Sequence, residues 1–202
     1  MRTLSILLSK FNFSHLVVAC FDGGNFLLAG SVLNEQKYID FGLDLVSACH
    51  DTYESTLTNI GPEGFAWSVD GTGVPADQEA FYNQTGFWIT SAEYILRPEV
   101  LESYYYAYRI TKDQKYRDWS WDGYLAINSS CAAGAGYAEL QNVNSLTPGF
   151  NDIQDSFFFA EVLKYAYMIH SPDEEYQTSN QGENKWVFNT EAHPFKVART
   201  PL

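Results

Sequence analysis

Cationic side chains are scarce in this 202-residue chain: 12 Lys and Arg face 25 Asp and Glu, for a formal net charge of −13. A protein with no basic stripe cannot displace counterions from a phosphate backbone, which excludes nucleic acid as a ligand. Histidines number four, and none stands in a paired Cys/His spacing, so nothing suggests a zinc site. No glycine loop of the phosphate-cradling kind and no nucleophile elbow can be found. No apolar run approaches the roughly 20 residues needed to span a bilayer. Cysteine is limited to Cys20, Cys49 and Cys131. In an exported protein, three cysteines mean one disulfide and one free thiol. The opening "MRTLSILLSKFNFSHLVVAC" has a basic start and a short apolar stretch, but Lys10 interrupts it, and it is not a convincing targeting signal.

What the chain does have is apolar and aromatic mass, 46% and 16% of its residues, enough for one substantial core. Helical spacing dominates. "KYIDFGLDLVSACHDTY" (37–53), "EVLESYYYAYRI" (99–110) and "KYRDWSWDGYLAI" (115–127) each place apolar residues on one stripe. "QDSFFFAEVLKYAYMI" (154–169) predicts a fourth long helix, and 20–33 a Gly-Gly turn followed by an apolar helix. Residues 60–85 read as a polar loop, and "KWVFNTEAHPFKVA" as extended segments around a turn. "EQKYID" (35–40) and "DQKYRD" (113–118) form a weak repeat, each opening a helix that follows another. Two ordinary helical hairpins explain it, as does a toroid of hairpins around a central cavity. Asn12, Asn83 and Asn128 head glycosylation triplets, which favours export only slightly.

The acids are placed with more purpose. Glu99 and Glu102 lie three apart and therefore share a helix face. Pro98 suits a helix start, and the dipole there favours ionised carboxylates. Arg97 stands close enough to hold a carboxylate through a forked contact. The pair could form a solvated first turn, or it could line a cavity that uses carboxylates. Glu63 sits in a Gly/Pro turn beside Phe65 and Trp67. Thr190, Glu191 and His193 crowd a second turn, whose hydroxyl and carbonyl oxygens suit a hard cation such as calcium.

Taken together, "HL…CFDGGNFLLAG", "GPEGFAW", "LRPEVLESYYYAYRIT", "YRDW", "FFFAEVLKYAYM" and "VFNTEAHP" resemble the C-terminal half of the class I α-1,2-mannosidases, above all the secreted fungal members. These are calcium-dependent, inverting enzymes that trim mannose from N-linked glycans. The resemblance implies an all-α fold, part of an (α/α)7 barrel of helical hairpins with a short C-terminal β-hairpin. It implies an unmatched segment over 1–14 and the C-terminal half of the catalytic domain over 15–202. It makes Glu99 the catalytic base and puts His15 near the reaction centre. Arg97, Glu63, Glu102 and Glu161 become substrate-binding groups, and Phe157 the ring that stacks on mannose. Thr190 would bind Ca2+ directly, with Glu191 supporting that shell. Cys20 and Cys49 would form the family's disulfide, and the protein would belong to the secretory pathway or be secreted.

The departures set further expectations. The family's members are more than twice as long, and the missing half carries the acid that protonates the leaving oxygen. The chain is therefore expected to be a truncated product whose activity is in question, or a remnant that binds calcium or mannosides. Its uncovered apolar faces would seek a complementary N-terminal half or self-associate. "HLVVACF" is two residues longer than the family spacing, Asp155 stands where Glu is usual, and Ala132 stands where Arg is often found.

Overall fold

The structure is a computed structural model that describes residues 13–68, 70–179 and 184–198. The basic start, Lys10 and Asn12 lie outside the described residues. Five helical segments carry the fold: α1 (Asp22–Leu33), α2 (Gln36–Glu54), α4 (Glu99–Thr111), α5 (Lys115–Cys131) and α6 (Leu163–His170), with a short α3 (Glu79–Thr85) on the periphery. A π-helical turn, Phe158–Val162, leads into α6.

Helix α4 is the hub, packed against α1, α2, α5 and α6. Its sequence explains why. Val100, Leu101, Ser103, Tyr104, Tyr105, Tyr106, Ala107, Arg109 and Ile110 are all buried, so the helix is covered around most of its girth. Arg109 can lie inside because its guanidinium donates to the Met168 and Ser171 carbonyls and to Asp173, closing the open C-terminal end of α6. Ser103 binds α4 to the start of α1: its hydroxyl donates to the Cys20 carbonyl at 2.5 Å and accepts the Gly24 amide at 3.0 Å.

Helices α1 and α2 form a tight hairpin, as do α4 and α5. The Gly-Gly pair expected to make a turn lies instead within the first turn of α1. A Cβ on Gly23 would meet Val46 at 2.8 Å, and one on Gly24 would meet Tyr106 at 2.6 Å, so these glycines serve helix approach rather than chain reversal. Cys20 and Cys49 are joined by a disulfide across this hairpin, and Cys131 is buried and free.

The span 60–85 is not the uniform loop its polarity suggested. Gly64–Trp67 forms β2, the middle strand of an antiparallel sheet between β1 (Phe13–Leu16) and β3 (Trp88–Ser91). Its residues alternate too little to announce a strand because β2 is buried along most of its length. The expected single α-helix over 154–169 is likewise interrupted. The π turn makes the Leu163 amide reach back five residues to the Phe158 carbonyl. Three further strand pairs are short: β4 (Ala132–Ala133) with β5 (Gly136–Tyr137), β6 (Glu139–Leu140) with β7 (Phe150–Asn151), and β8 (Trp186–Phe188) with β9 (Pro194–Lys196). The last pair is the expected C-terminal hairpin, and Phe188 docks it edge-on against Tyr105 and Tyr165. No helix among the described residues is long and apolar enough to cross a membrane.

Candidate active site

The N-terminus of α4, the π turn before α6 and the loop into β2 converge on one group of carboxylates. Backbone bonds fix the loop first. The Glu63 amide donates to the Glu93 carbonyl at 2.7 Å, and its carbonyl accepts the Val17 amide at 2.8 Å. Arg97 then reaches across: Nε donates to both Glu63 oxygens at 3.1 Å and Nη2 to Oε1 at 2.9 Å. Arg97 Nη1 lies 3.7 Å from Glu99 Oε1, and its guanidinium carbon lies 6.0 Å from the centre of the Phe157 ring. The residue before it, Leu96, is fully buried with φ of 62°. A branched side chain in the left-handed region is costly, and such strain gathers at functional sites. Here it turns Arg97 toward Glu63.

Glu99 and Glu102 share one face of α4, as their spacing required. Glu102 accepts the Tyr165 hydroxyl at 3.1 Å, and Glu99 Oε2 is buried without a hydrogen-bond partner among the described residues. The expectation that the helix dipole keeps these acids ionised does not hold. Burial outweighs it: Glu99 is 8% exposed, and desolvation lifts its carboxyl to about 7 against the pull of Arg97. Burial likewise carries Glu102 to about 8, helped by the charges of Glu99 and Glu161. Glu161, 5% exposed, is lifted to about 7 by burial and then by the neighbouring Glu191 and Glu99. Acids that mutually resist ionisation are poised to hold protons, polyol hydroxyls or a cation.

Thr190 and Glu191 occupy the exposed tip between β8 and β9. Asn189 shapes that tip, its Oδ1 accepting the Glu191 and His193 amides at 3.1 and 2.8 Å. Lys164 Nζ donates to the Ala192 carbonyl at 2.9 Å, tying the tip to α6. Among the described residues no three His, Cys, Asp or Glu side chains form a ready-made metal cage. The side chains that meet here are nevertheless oxygen donors: Glu161 and Glu191 repel one another, and Thr190 precedes Glu191 in the tip. That set fits a hard divalent cation and not a thiophilic metal.

His15 is placed on β1 opposite Phe65, one strand away from Glu63. Sequence reasoning missed Tyr165 and Glu139. Tyr165 could have been found four residues beyond Glu161, on the same helical face. Glu139 is buried on β6, lifted by burial and by its hydrogen bond with Asp155, and nothing in its local sequence marks it.

This arrangement has relatives. The chain is 53% identical over 194 residues to a probable mannosyl-oligosaccharide α-1,2-mannosidase 1B from Aspergillus clavatus, matching 93% of this chain and 38% of that protein. A mannosyl-oligosaccharide α-1,2-mannosidase from Penicillium citrinum is 51% identical over 191 residues, covering 94% of this chain and 37% of that one. The α-1,2-mannosidase from Trichoderma reesei superposes with a TM-score of 0.89 at 50% identity, over 92% of this chain and 39% of that chain. The helical array is thus part of an α/α barrel, and the chain spans under two fifths of the length of these relatives. The profile of the glycosyl hydrolase family 47 matches residues 6–197, nearly the whole chain, and the chain belongs to that family.

Proposed function

We propose that this chain carries the base side of an inverting, calcium-dependent hydrolase of terminal α-1,2-linked mannose on N-glycans. The observation that carries this reading is Glu99, buried at the head of α4 with one carboxylate oxygen lacking a hydrogen-bond partner among the described residues and its carboxyl lifted to about 7. A general base works best when its pKa lies near the operating pH. Glu99 takes a proton from water at the anomeric carbon, while Arg97, Glu63, Glu102 and Glu161 bind the hydroxyls of the sugar. Phe157 offers the ring on which mannose stacks, and His15 is assigned near the reaction centre by its match to the family's motif. Thr190 would hold Ca2+ through its hydroxyl and carbonyl, with Glu191 supporting it. Bound there, the cation supplies positive charge that stabilises the ionised acids and orients sugar hydroxyls.

Inversion needs an acid opposite the base, with the two carboxyls about 6.5–9.5 Å apart. A second reading is that the residues gathered here bind calcium or mannosides without hydrolysis. Mannose release from an α-1,2-linked mannobiose, with calcium and with chelator, separates the two. Calcium-dependent release that Glu99→Gln abolishes supports the hydrolase. Binding of mannobiose without release supports the second reading. In either case the natural ligands are high-mannose N-glycans and the place of action is the secretory pathway or the cell exterior. The uncovered apolar side chains Trp121, Phe159 and Tyr167 would then meet a complementary half or a second copy of the chain.

A further inference from the structure

The acid groups on α4 face α6 and the turn before it, and the register between them is unusual. Phe157, Glu161 and Tyr165 are spaced four apart. In a regular α-helix each such step overshoots one turn by about 40° and would carry the third side chain well off the face of the first. The π turn over Phe158–Val162 inserts an extra residue and takes back that drift. Tyr165, fully buried, is thereby brought to Glu102 across 63 residues of sequence, its hydroxyl 3.1 Å from Oε1.

We infer that Tyr165 is a positioning residue for Glu102: its hydroxyl donates to the carboxyl oxygen Oε1, aims that group among the other acids and holds it ready for a sugar hydroxyl. This deepens the proposed function, since it assigns a second group to the same site. The other candidates facing Glu102 cannot do this. Glu99 on its own helix and Glu161 from the π turn are acids whose charges oppose its ionisation. Tyr106, one turn further along α4, hydrogen-bonds with Tyr165 and so acts through it. Burial drives Glu102 toward its neutral form, and the Tyr165 hydrogen bond is the interaction that works against burial.

The test is a carboxyl titration of Glu102 by carbon-detected NMR, in the 202-residue chain and in Tyr165→Phe. Loss of the donor should tighten proton binding at Glu102 about tenfold, moving its titration about one pH unit upward. Affinity for α-1,2-mannobiose in calcium, measured by calorimetry at neutral pH, should fall about fivefold to tenfold. A tyrosine that only packs would leave the Glu102 titration where it was, and that result overturns the inference whatever happens to stability. If Tyr165→Phe does not fold, the Tyr165 ring carbon bearing the hydroxyl is followed in Glu102→Gln, which keeps the shape and loses the charge. In the wild type that carbon should show a step where Glu102 titrates, and in the variant the step should vanish. A step retained in the variant also overturns the inference. Failure of the wild type to bind mannobiose defeats the proposed function alone, because the two titrations are read without sugar.

Discussion

The Arg97 guanidinium is forked onto the Glu63 carboxylate across 34 residues of chain, with three N–O distances between 2.9 and 3.1 Å. This contact joins the loop into β2 to the head of α4, so the acids of both elements depend on it. Arg97→Met would leave the mostly buried Glu63 without its partner. Urea unfolding should show a loss of about 2 kcal/mol, less than the roughly 3 to 5 kcal/mol for a fully buried pair because Arg97 is partly solvated. Arg97→Lys keeps the charge but not the fork, and should recover only part of that loss.

Stability should fall as pH rises. Glu99, Glu102 and Glu161 all have carboxyls lifted above their ordinary 4.5, to about 7, 8 and 7. The folded chain therefore keeps protons that the unfolded chain releases near pH 4.5. Their stabilising contribution is complete below that value and is lost as pH rises through 7 to 8. Because the three acids interact, their contributions do not simply add, and a loss on the order of 3 kcal/mol between pH 5 and 8.5 is expected. Thermal melts across that range check it, and Glu99→Gln should flatten the slope. Melting temperatures that climb with pH would contradict the burial argument.

The Cys20–Cys49 disulfide closes a loop of 29 residues between the start of α1 and the last turns of α2. In the chain-entropy account, its removal by Cys49→Ser should cost about 3 to 4 kcal/mol. Comparing the unfolding midpoint of that variant with the wild type tests this. An unchanged midpoint would mean that packing alone holds the hairpin.

Gly42→Ala should destabilise without touching the acids. A Cβ at Gly42 would lie 2.8 Å from Leu27 Cγ and 3.0 Å from both the Gly23 carbonyl oxygen and the Leu27 amide nitrogen. Backbone cannot yield as a side-chain tip can, so helices α1 and α2 must move apart. A cost of about 1 to 3 kcal/mol is expected from chemical unfolding. Full stability in Gly42→Ala would show that the hairpin has slack.

Much of this molecule was legible in local patterns. The stripe over 37–53 and the runs 99–110 and 115–127 were recognised as helices because a period of 3.6 survives in any helix with one buried face. The spacing of Glu99 and Glu102 placed both on one side of α4, since helical geometry alone sets that relation. The Cys20–Cys49 pairing came from resemblance to the mannosidases and is seen in the structure.

What escaped was whatever depends on neighbours distant in sequence. Gly23 and Gly24 looked like a turn because local rules cannot see Val46, Ser103 and Tyr106 pressing on them. Glu99 and Glu102 looked ionised because the helix dipole is a local effect, whereas desolvation depends on how much chain closes over the group. The π turn was invisible because one inserted residue changes no composition, yet it is what brings Tyr165 to Glu102. The sequence by itself determined which segments are helical and which acids share a face, for these follow from bonds between near neighbours. Only the tertiary structure decided which acids meet Arg97 and which meets Tyr165, because burial and long-range hydrogen bonds exist only once the helices have packed.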